Sequence, residues 1–321
     1  MKTIELRCLN GDYEINSTKD YVVFTGPQLA IFRTNGEVVA RRQDFGLIRK
    51  CVFVKDDSIL LDCSAKGCYI LISLMDGSEK CRIPQPRSDY TCSRFVSSPD
   101  DRYVYDRCDL RGKDYLVEIN LTESIAYAYL IKHNLRCVSD LVCTQQGKLV
   151  FLEQHYEDWE DNAGKCVSKN GMICASSKGL KHQYSFEQVF QWEFAYPRIS
   201  RFFLGNEDAI LTKDLHVYKP SSGELYSLVD NELDLVNLGK EPVSYRFDRQ
   251  TKYLTLMYDT ANIIVDCTAR KVIAQYAANY RFGSIVGNEY WVCTDEGIRK
   301  MPFPFIECIP TRKQAIWSPW H

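Results

Sequence analysis

The sequence predicts an all-β chain assembled from seven copies of one unit, each a four-stranded antiparallel sheet. Three observations lead there. A polar turn followed at once by a short apolar run recurs along the chain, with turns near Ser17, Lys55, Ser98, Gln145, Gly205, Asp248 and Gly287 and runs reading YVVFTG, SILLDC, RYVYDR, KLVFLE, AILTKD, YLTLMYD and YWVCTD. From Tyr21 to Tyr290 the six steps span 269 residues, a mean period of about 45, within the range of solenoids, propellers and arrays. Each unit reads as short strands, and several of those strands are apolar at consecutive positions.

The strand count is clearest in the second unit, where CVFV, ILLDC, CYILISL and KCRIP are separated by KDDS, SAKG and MDGSE. Four runs joined by tight turns fit one antiparallel sheet. The third unit repeats the pattern with SRFVS, RYVYD, YLVEINL and IAYAYLI, and the sixth with VSYRF, YLTLMYD, NIIVDC and KVIAQYA. A sheet with one wet face alternates apolar and polar residues, so continuous runs such as CYILISL and NIIVDC imply sheets covered on both sides. Sheets stacked face to face around an axis supply that cover. The turn between third and fourth strands recurs as Asn35-Gly36, Asp76-Gly77 and Ser222-Gly223, with Thr122 and Ala269 marking poorer copies; Asn-Gly and Asp-Gly tolerate the positive φ of hairpin turns. The segment SFEQVFQWEF, residues 185–194, is assigned to an outer strand.

On these residues the chain resembles a β-propeller, and the SSPDDRYVYD segment, residues 97–106, is similar to the Ser-Pro-Asp turn and strand found in bacterial propellers and in tryptophan-aspartate repeat proteins. No unit ends in Trp-Asp, and none opens on Gly-His. The resemblance implies a seven-bladed propeller over residues 1–310, followed by a tail, 311–321, carrying Trp317 and Trp320. Such a ring needs its last blade completed, because an open edge exposes unpaired backbone groups. TIELRC, residues 3–8, is the candidate closing strand, since YEIN from Tyr13 already serves the first blade; the competing strand is FIECI from Phe305, in a region broken by Pro302, Pro304 and Pro310.

Composition narrows the function. A formal charge of -2 carries no basic excess, so nucleic acid and anionic membrane are not expected partners. The opening MKTIELRCLNGDYEIN lacks an apolar core of roughly 7–15 residues, so a cytoplasmic location is expected. Most of the 14 cysteines sit inside apolar runs, among them Cys51, Cys63, Cys143, Cys174, Cys267 and Cys293, where a reduced thiol packs as a small hydrophobe. There is no GxSxG, Gly-rich phosphate loop, HExxH or paired CxxC, and His133, His155, His182, His216 and His321 are scattered over the units. No cofactor, metal site or catalytic residue is assigned.

One constellation stands out. In six units the second strand ends in or just before a carboxylate: Asp62, Asp106, Glu153, Asp214, Asp259 and Asp295. Successive hairpins of a blade alternate between its two ends, which places all six on one face. The same connection of the fourth unit carries the largest insertion, QHYEDWEDNAGKC, with Tyr156, Glu157, Asp158, Trp159, Glu160 and Asp161. Carboxylates mixed with aromatics suit a lysine- or arginine-rich segment of a protein partner, through charge pairing and cation-π contact. The alternative is turn chemistry with a solvated loop, since Lys66, Arg107, Lys165 and Lys213 share these connections. A calcium loop fails on register, with Ala163 and Lys169 where glycine and glutamate belong. The sequence therefore points to a non-enzymatic binding propeller. The alternatives are a hydrolase or lyase using carboxylates near the axis, and a sensor of small ligands in the channel.

Overall fold

Residues apolar at successive positions pair into strands throughout the chain. The computed structural model describes residues 4–5, 12–16, 18–55, 57–86, 95–110, 113–130, 138–143, 149–157, 167–178, 183–193, 199–204, 208–212, 215–219, 224–231, 244–248, 252–258, 261–277, 282–294 and 297–303. The chain begins with β1 (Ile4–Glu5) and continues through β2 (Asp12–Ile15), β3 (Tyr21–Thr25), β4 (Leu29–Arg33) and β5 (Val38–Arg42). The second unit supplies β6 (Cys51–Val54), β7 (Ser58–Cys63), β8 (Cys68–Ser73) and β9 (Glu79–Pro84). The third supplies β10 (Val96–Ser97), β11 (Tyr103–Leu110), β12 (Lys113–Asn120) and β13 (Ile125–Leu130). The fourth supplies β14 (Val138–Cys143), β15 (Leu149–Glu157), β16 (Val167–Lys178) and β17 (Gln183–Glu193). Then come β18 (Ile199–Leu204), β19 (Asp208–Thr212), β20 (His216–Lys219), β21 (Glu224–Ser227), β22 (Ser244–Asp248), β23 (Tyr253–Met257), β24 (Ala261–Asp266), β25 (Lys271–Ala277), β26 (Phe282–Val286), β27 (Glu289–Thr294) and β28 (Gly297–Pro302).

Among the described residues there is no α-helix, and the strands form four-stranded antiparallel sheets ordered β2-β3-β4-β5, β6-β7-β8-β9, β10-β11-β12-β13, β14-β15-β16-β17, β18-β19-β20-β21, β22-β23-β24-β25 and β1-β28-β27-β26. In the last sheet β1 takes the outer place, with Ile4 opposite Ile298 and Glu5 opposite Gly297. FIECI and the two tail tryptophans lie outside the described residues. The chain divides into two compact units, one of Asn10–Phe202 and one of Met1–Leu9 with Phe203–His321.

Described middle strands of both compact units are covered on both faces. β7 is buried at every position, and successive residues serve different clusters. Ile59 and Leu61 pack with Val23, Leu29 and Ile31 of the first sheet, whereas Leu60 packs with Val104, Val117 and Ile119 of the third. The compact unit of Met1–Leu9 with Phe203–His321 repeats the device: Ile263 and Val265 join Leu211, Val217 and Leu228, and Ile264 joins Ile285, Tyr290 and Met301. This is why the period-2 alternation of a half-exposed strand is missing from the sequence.

The recurring turns share a backbone conformation. Between first and second strands, φ is positive at Lys19, Lys55, Asp101, Lys252 and Gly287. Side chains brace two of these turns: Asn16 Oδ1 accepts from the N–H groups of Asp20 and Tyr21, and Ser98 Oγ accepts from Tyr103 N–H. Between third and fourth strands the positive φ falls on Gly36 and Gly77, and in the glycine-free copies on Ser124 and Arg270. There Asn120 and Asp266 each accept two backbone N–H groups, holding the turn without glycine.

Cys63, Cys68, Cys81 and Cys267 carry free thiols. Burial, reinforced by Cys68 and Asp62, pushes the Cys63 thiol up to about 12, and burial pushes Cys267 to about 12 as well. Both thiols are therefore neutral in the fold at pH values where an unfolded chain begins to ionise them. Their contribution is intact below pH of roughly 8.5 and is lost as pH rises toward 12. Alkaline titration of the denaturation midpoint should show this fall, and Ellman's reagent at pH 8 should reach Cys63 and Cys267 only after denaturant is added. Rapid labelling of the native chain at both positions would contradict the packing.

Candidate functional site

Two of the six carboxylates marked by the repeat come together around one ammonium. The chain leading into β6 continues the ladder with β7: Arg49 N–H donates to Asp62 O at 3.1 Å and Asp62 N–H donates to Lys50 O at 2.9 Å. This register sets Lys50 beside Asp62. Its Nζ lies 3.9 Å from Asp62 Oδ2 and reaches across to the third sheet, 2.5 Å from Asp106 Oδ1. Asp62 and Asp106 are each only 1% exposed. Ser64 Oγ donates to Asp62 Oδ1, as does Gln85 Nε2 at 2.8 Å, and Arg107 N–H donates to Asp106 Oδ1 at 2.7 Å. The Lys50 ammonium also sits 4.8 Å from the centre of the Phe95 ring, itself edge-on to Tyr69.

The cluster is thus a desolvated ion network spanning two sheets. Charges so far from water are held by mutual pairing and dipoles rather than displayed to a ligand. The apolar run around Asp62 carried the signal for it: a carboxylate inside SILLDC must be buried, and a buried carboxylate needs a cation.

The remaining marked residues divide by position. Asp106 and Glu153 lie inside their strands, since β11 runs on to Leu110 and β15 to Glu157. Both hairpins are longer than the local apolar runs suggest, with Leu110 opposite Lys113 and Glu157 opposite Val167 closing their ladders. Tyr156 and Glu157, which the sequence assigns to a loop, are therefore paired strand residues of β15. Asp158, Trp159, Glu160, Asp161, Asp214, Asp259 and Asp295 lie outside the described residues.

A further buried carboxylate escapes the sequence pattern. Glu118 stands between Tyr105 and Tyr127 in the register of the third sheet and is 1% exposed. Burial first, and the Glu118 charge next, raise the Tyr105 and Tyr129 hydroxyls above the ordinary tyrosine range. Among the described residues no group of three or more His, Cys, Asp and Glu side chains is arranged to hold a metal ion, and no helix is long and apolar enough to cross a membrane.

No protein-family model and no curated protein matches the chain. Solved structures do. The β-propeller domain of Cps50 (Swd1) from Myceliophteria thermophila aligns with a TM-score of 0.61 at 12% identity, over 93% of this chain and 98% of that one. Streptogramin B lyase aligns with a TM-score of 0.58 at 12% identity, over 93% and 96%. The Dos1 propeller aligns with a TM-score of 0.54 at 9% identity, over 93% and 82%. At such identities the likeness concerns the fold alone: the chain has a β-propeller architecture, one that hosts many unrelated functions.

Proposed function

We propose that this chain is a binding propeller. Residues 1–310 form a seven-bladed ring completed by β1 on β28, residues 311–321 form a tail, and the working part is the acidic arm of the fourth blade. One observation carries the reading. The β15–β16 hairpin continues in register to Glu157 opposite Val167, with strands of 9 and 12 residues where β7 and β8 have 6 each. At about 3.4 Å per residue, the three extra residues of β15 carry its end about 10 Å farther. A paired stalk holds a loop away from its sheet at less entropic cost on binding than a free loop of equal length.

Glu157, Asp158, Glu160 and Asp161 with Tyr156 and Trp159 give this arm the chemistry to grip a lysine- or arginine-rich segment of a cytoplasmic protein. Of the carboxylates marked by the repeat, Asp62 and Asp106 are engaged by Lys50 and Glu153 lies within β15; Asp214, Asp259 and Asp295 complete the proposed acidic face. The similar structures include the propellers of Cps50 (Swd1) and Dos1 as well as a lyase, which keeps an enzymatic reading in view. The burial of Asp62 and Asp106 favours the binding reading, because carboxylates sealed by Lys50 offer no access to a substrate.

The test uses a fluorescent arginine-rich peptide of net positive charge. Wild type should bind it with an affinity that falls as salt rises. Reversing Glu157, Asp158, Glu160 and Asp161 to lysine should weaken binding by at least roughly 100-fold, about 0.7 kcal/mol or more per reversed charge. Equal binding by the reversed variant, or no binding by wild type, rejects the arm as the binding element.

A further inference from the structure

We infer that an ordered water molecule is bound between the β22–β25 sheet and the β26–β28 sheet, held by the Asn262 carboxamide and the Tyr290 hydroxyl. The two side chains meet there from opposite sides. Asn262 pairs with Met257 and Tyr276 in register, so it shares a face with Tyr276, whose ring stacks on that of Tyr290 at 4.6 Å and 14°. Tyr290 belongs with Ile285, Met301 and Phe303 to the apolar cluster that also takes in Ile264.

Both Asn262 and Tyr290 are 0% exposed, yet Asn262 Nδ2, Asn262 Oδ1 and the Tyr290 hydroxyl make no hydrogen bond to protein. Burial drives the Tyr290 hydroxyl above its ordinary pKa, and Thr255 and Asn262 lie near enough to oppose that push, though neither meets the hydroxyl in hydrogen-bond geometry. Leaving one buried donor or acceptor unmet costs about 1–3 kcal/mol, and here a carboxamide and a phenol stand together. The ligand must therefore be small, neutral, and able both to donate and to accept. Water fits: Tyr290 O–H donates to its oxygen, and it donates in turn to Asn262 Oδ1. Buried waters of globular proteins make about 2–4 such bonds and act as structural parts of the core.

The site also explains why a polar residue stands in the apolar run ANIIVD. Asn262 is the second residue of β24, on a buried middle strand of its sheet, where an aliphatic residue would otherwise be expected. With a shared water, the carboxamide and the phenol fix the register of one sheet against the next.

A crystal structure of the whole chain, at a resolution that shows ordered solvent, decides the point. A single density peak within about 2.7–3.2 Å of both Asn262 and the Tyr290 hydroxyl supports the site. A direct Asn262–Tyr290 hydrogen bond with no density between them overturns it. A thermal double-mutant cycle supplies a second reading: Tyr290→Phe should lower the melting midpoint by roughly 3 °C, and adding Asn262→Leu should recover most of that loss by removing the other half of the polar site. Losses that simply add would count against a shared ligand, and if Asn262→Leu fails to fold, the wild-type density remains decisive.

Discussion

Replacing Lys50 by methionine should lower stability by about 3–5 kcal/mol, the cost of stranding a buried carboxylate without its cation. Lys50 is the ammonium between Asp62 and Asp106, 2.5 Å from the latter, and methionine keeps its length and most of its volume while removing the charge. Asp62 retains Ser64 and Gln85 as donors, whereas Asp106 Oδ1 keeps the Arg107 N–H. The larger share of the loss should therefore arise at Asp106. The double variant Lys50→Met/Asp106→Leu tests this directly, because it removes the stranded Asp106 charge and leaves only Asp62, which keeps its Ser64 and Gln85 donors. Replacing a buried pair by well-packed apolar residues is often neutral or stabilising, so the double variant should be more stable than Lys50→Met alone. Urea denaturation midpoints of wild type, Lys50→Met, Asp106→Leu and the double variant measure the coupling. A single variant within about 1 kcal/mol of wild type would mean that Lys50 is solvated and paired only loosely, as exposed ion pairs are.

The repeat was legible because each of its parts is local. A turn that needs positive φ selects glycine, asparagine, aspartate or a tolerated lysine within a few residues, and a doubly covered strand sets apolar residues at consecutive positions, as Cys68–Ile72 of β8 do. Lys19, Lys55 and Lys252 show how the same turn hides from a search for glycine alone. In the sheets built from consecutive strands the order follows from these cues, since short connections place such strands side by side; β1 joins β28 from the other end of the chain.

The ion network was legible only by half. Asp62 and Asp106 announce themselves as charges in apolar runs, but their cation lies 56 residues before Asp106, in a different sheet. Nothing in a single sequence links position 50 to position 106; that link is made by the angle at which one sheet packs on the next. The length of the fourth hairpin was hidden for another reason. GLN-HIS-TYR-GLU, residues 154–157, is polar, so it reads as loop, while its backbone pairs with residues 167–170 of a strand equally poor in apolar residues. Hydrogen bonding between two polar strands leaves no hydrophobic period to detect.

Gly77→Ala should cost about 2–4 kcal/mol, the sum of a left-handed backbone and an overlap with the neighbouring sheet. Gly77 has φ +72°, and a Cβ built on it would run into the Cβ of Ala40 on β5. The turn has little room to retreat. Gly77 N–H donates to Ser73 O at 2.9 Å, and Gly77 O accepts from Arg42 Nη1 at 3.1 Å, with the Arg42 guanidinium 4.3 Å from the Phe45 ring centre. Gly287 is the control: its φ of +58° carries the same backbone penalty, but an added Cβ there meets nothing within 4 Å. Gly287→Ala should therefore cost only about 1 kcal/mol, the left-handed term alone. If the excess at position 77 is the collision, removing the opposing methyl must return it. Gly77→Ala/Ala40→Gly should then lose less than the two single variants added together, even though glycine in a strand carries its own cost of roughly 0.5–1 kcal/mol. Urea midpoints for all four variants give the comparison. Equal losses at positions 77 and 287 would show that the sheets yield at this seam, and that the close approach of Gly77 to Ala40 does not hold the blades in place.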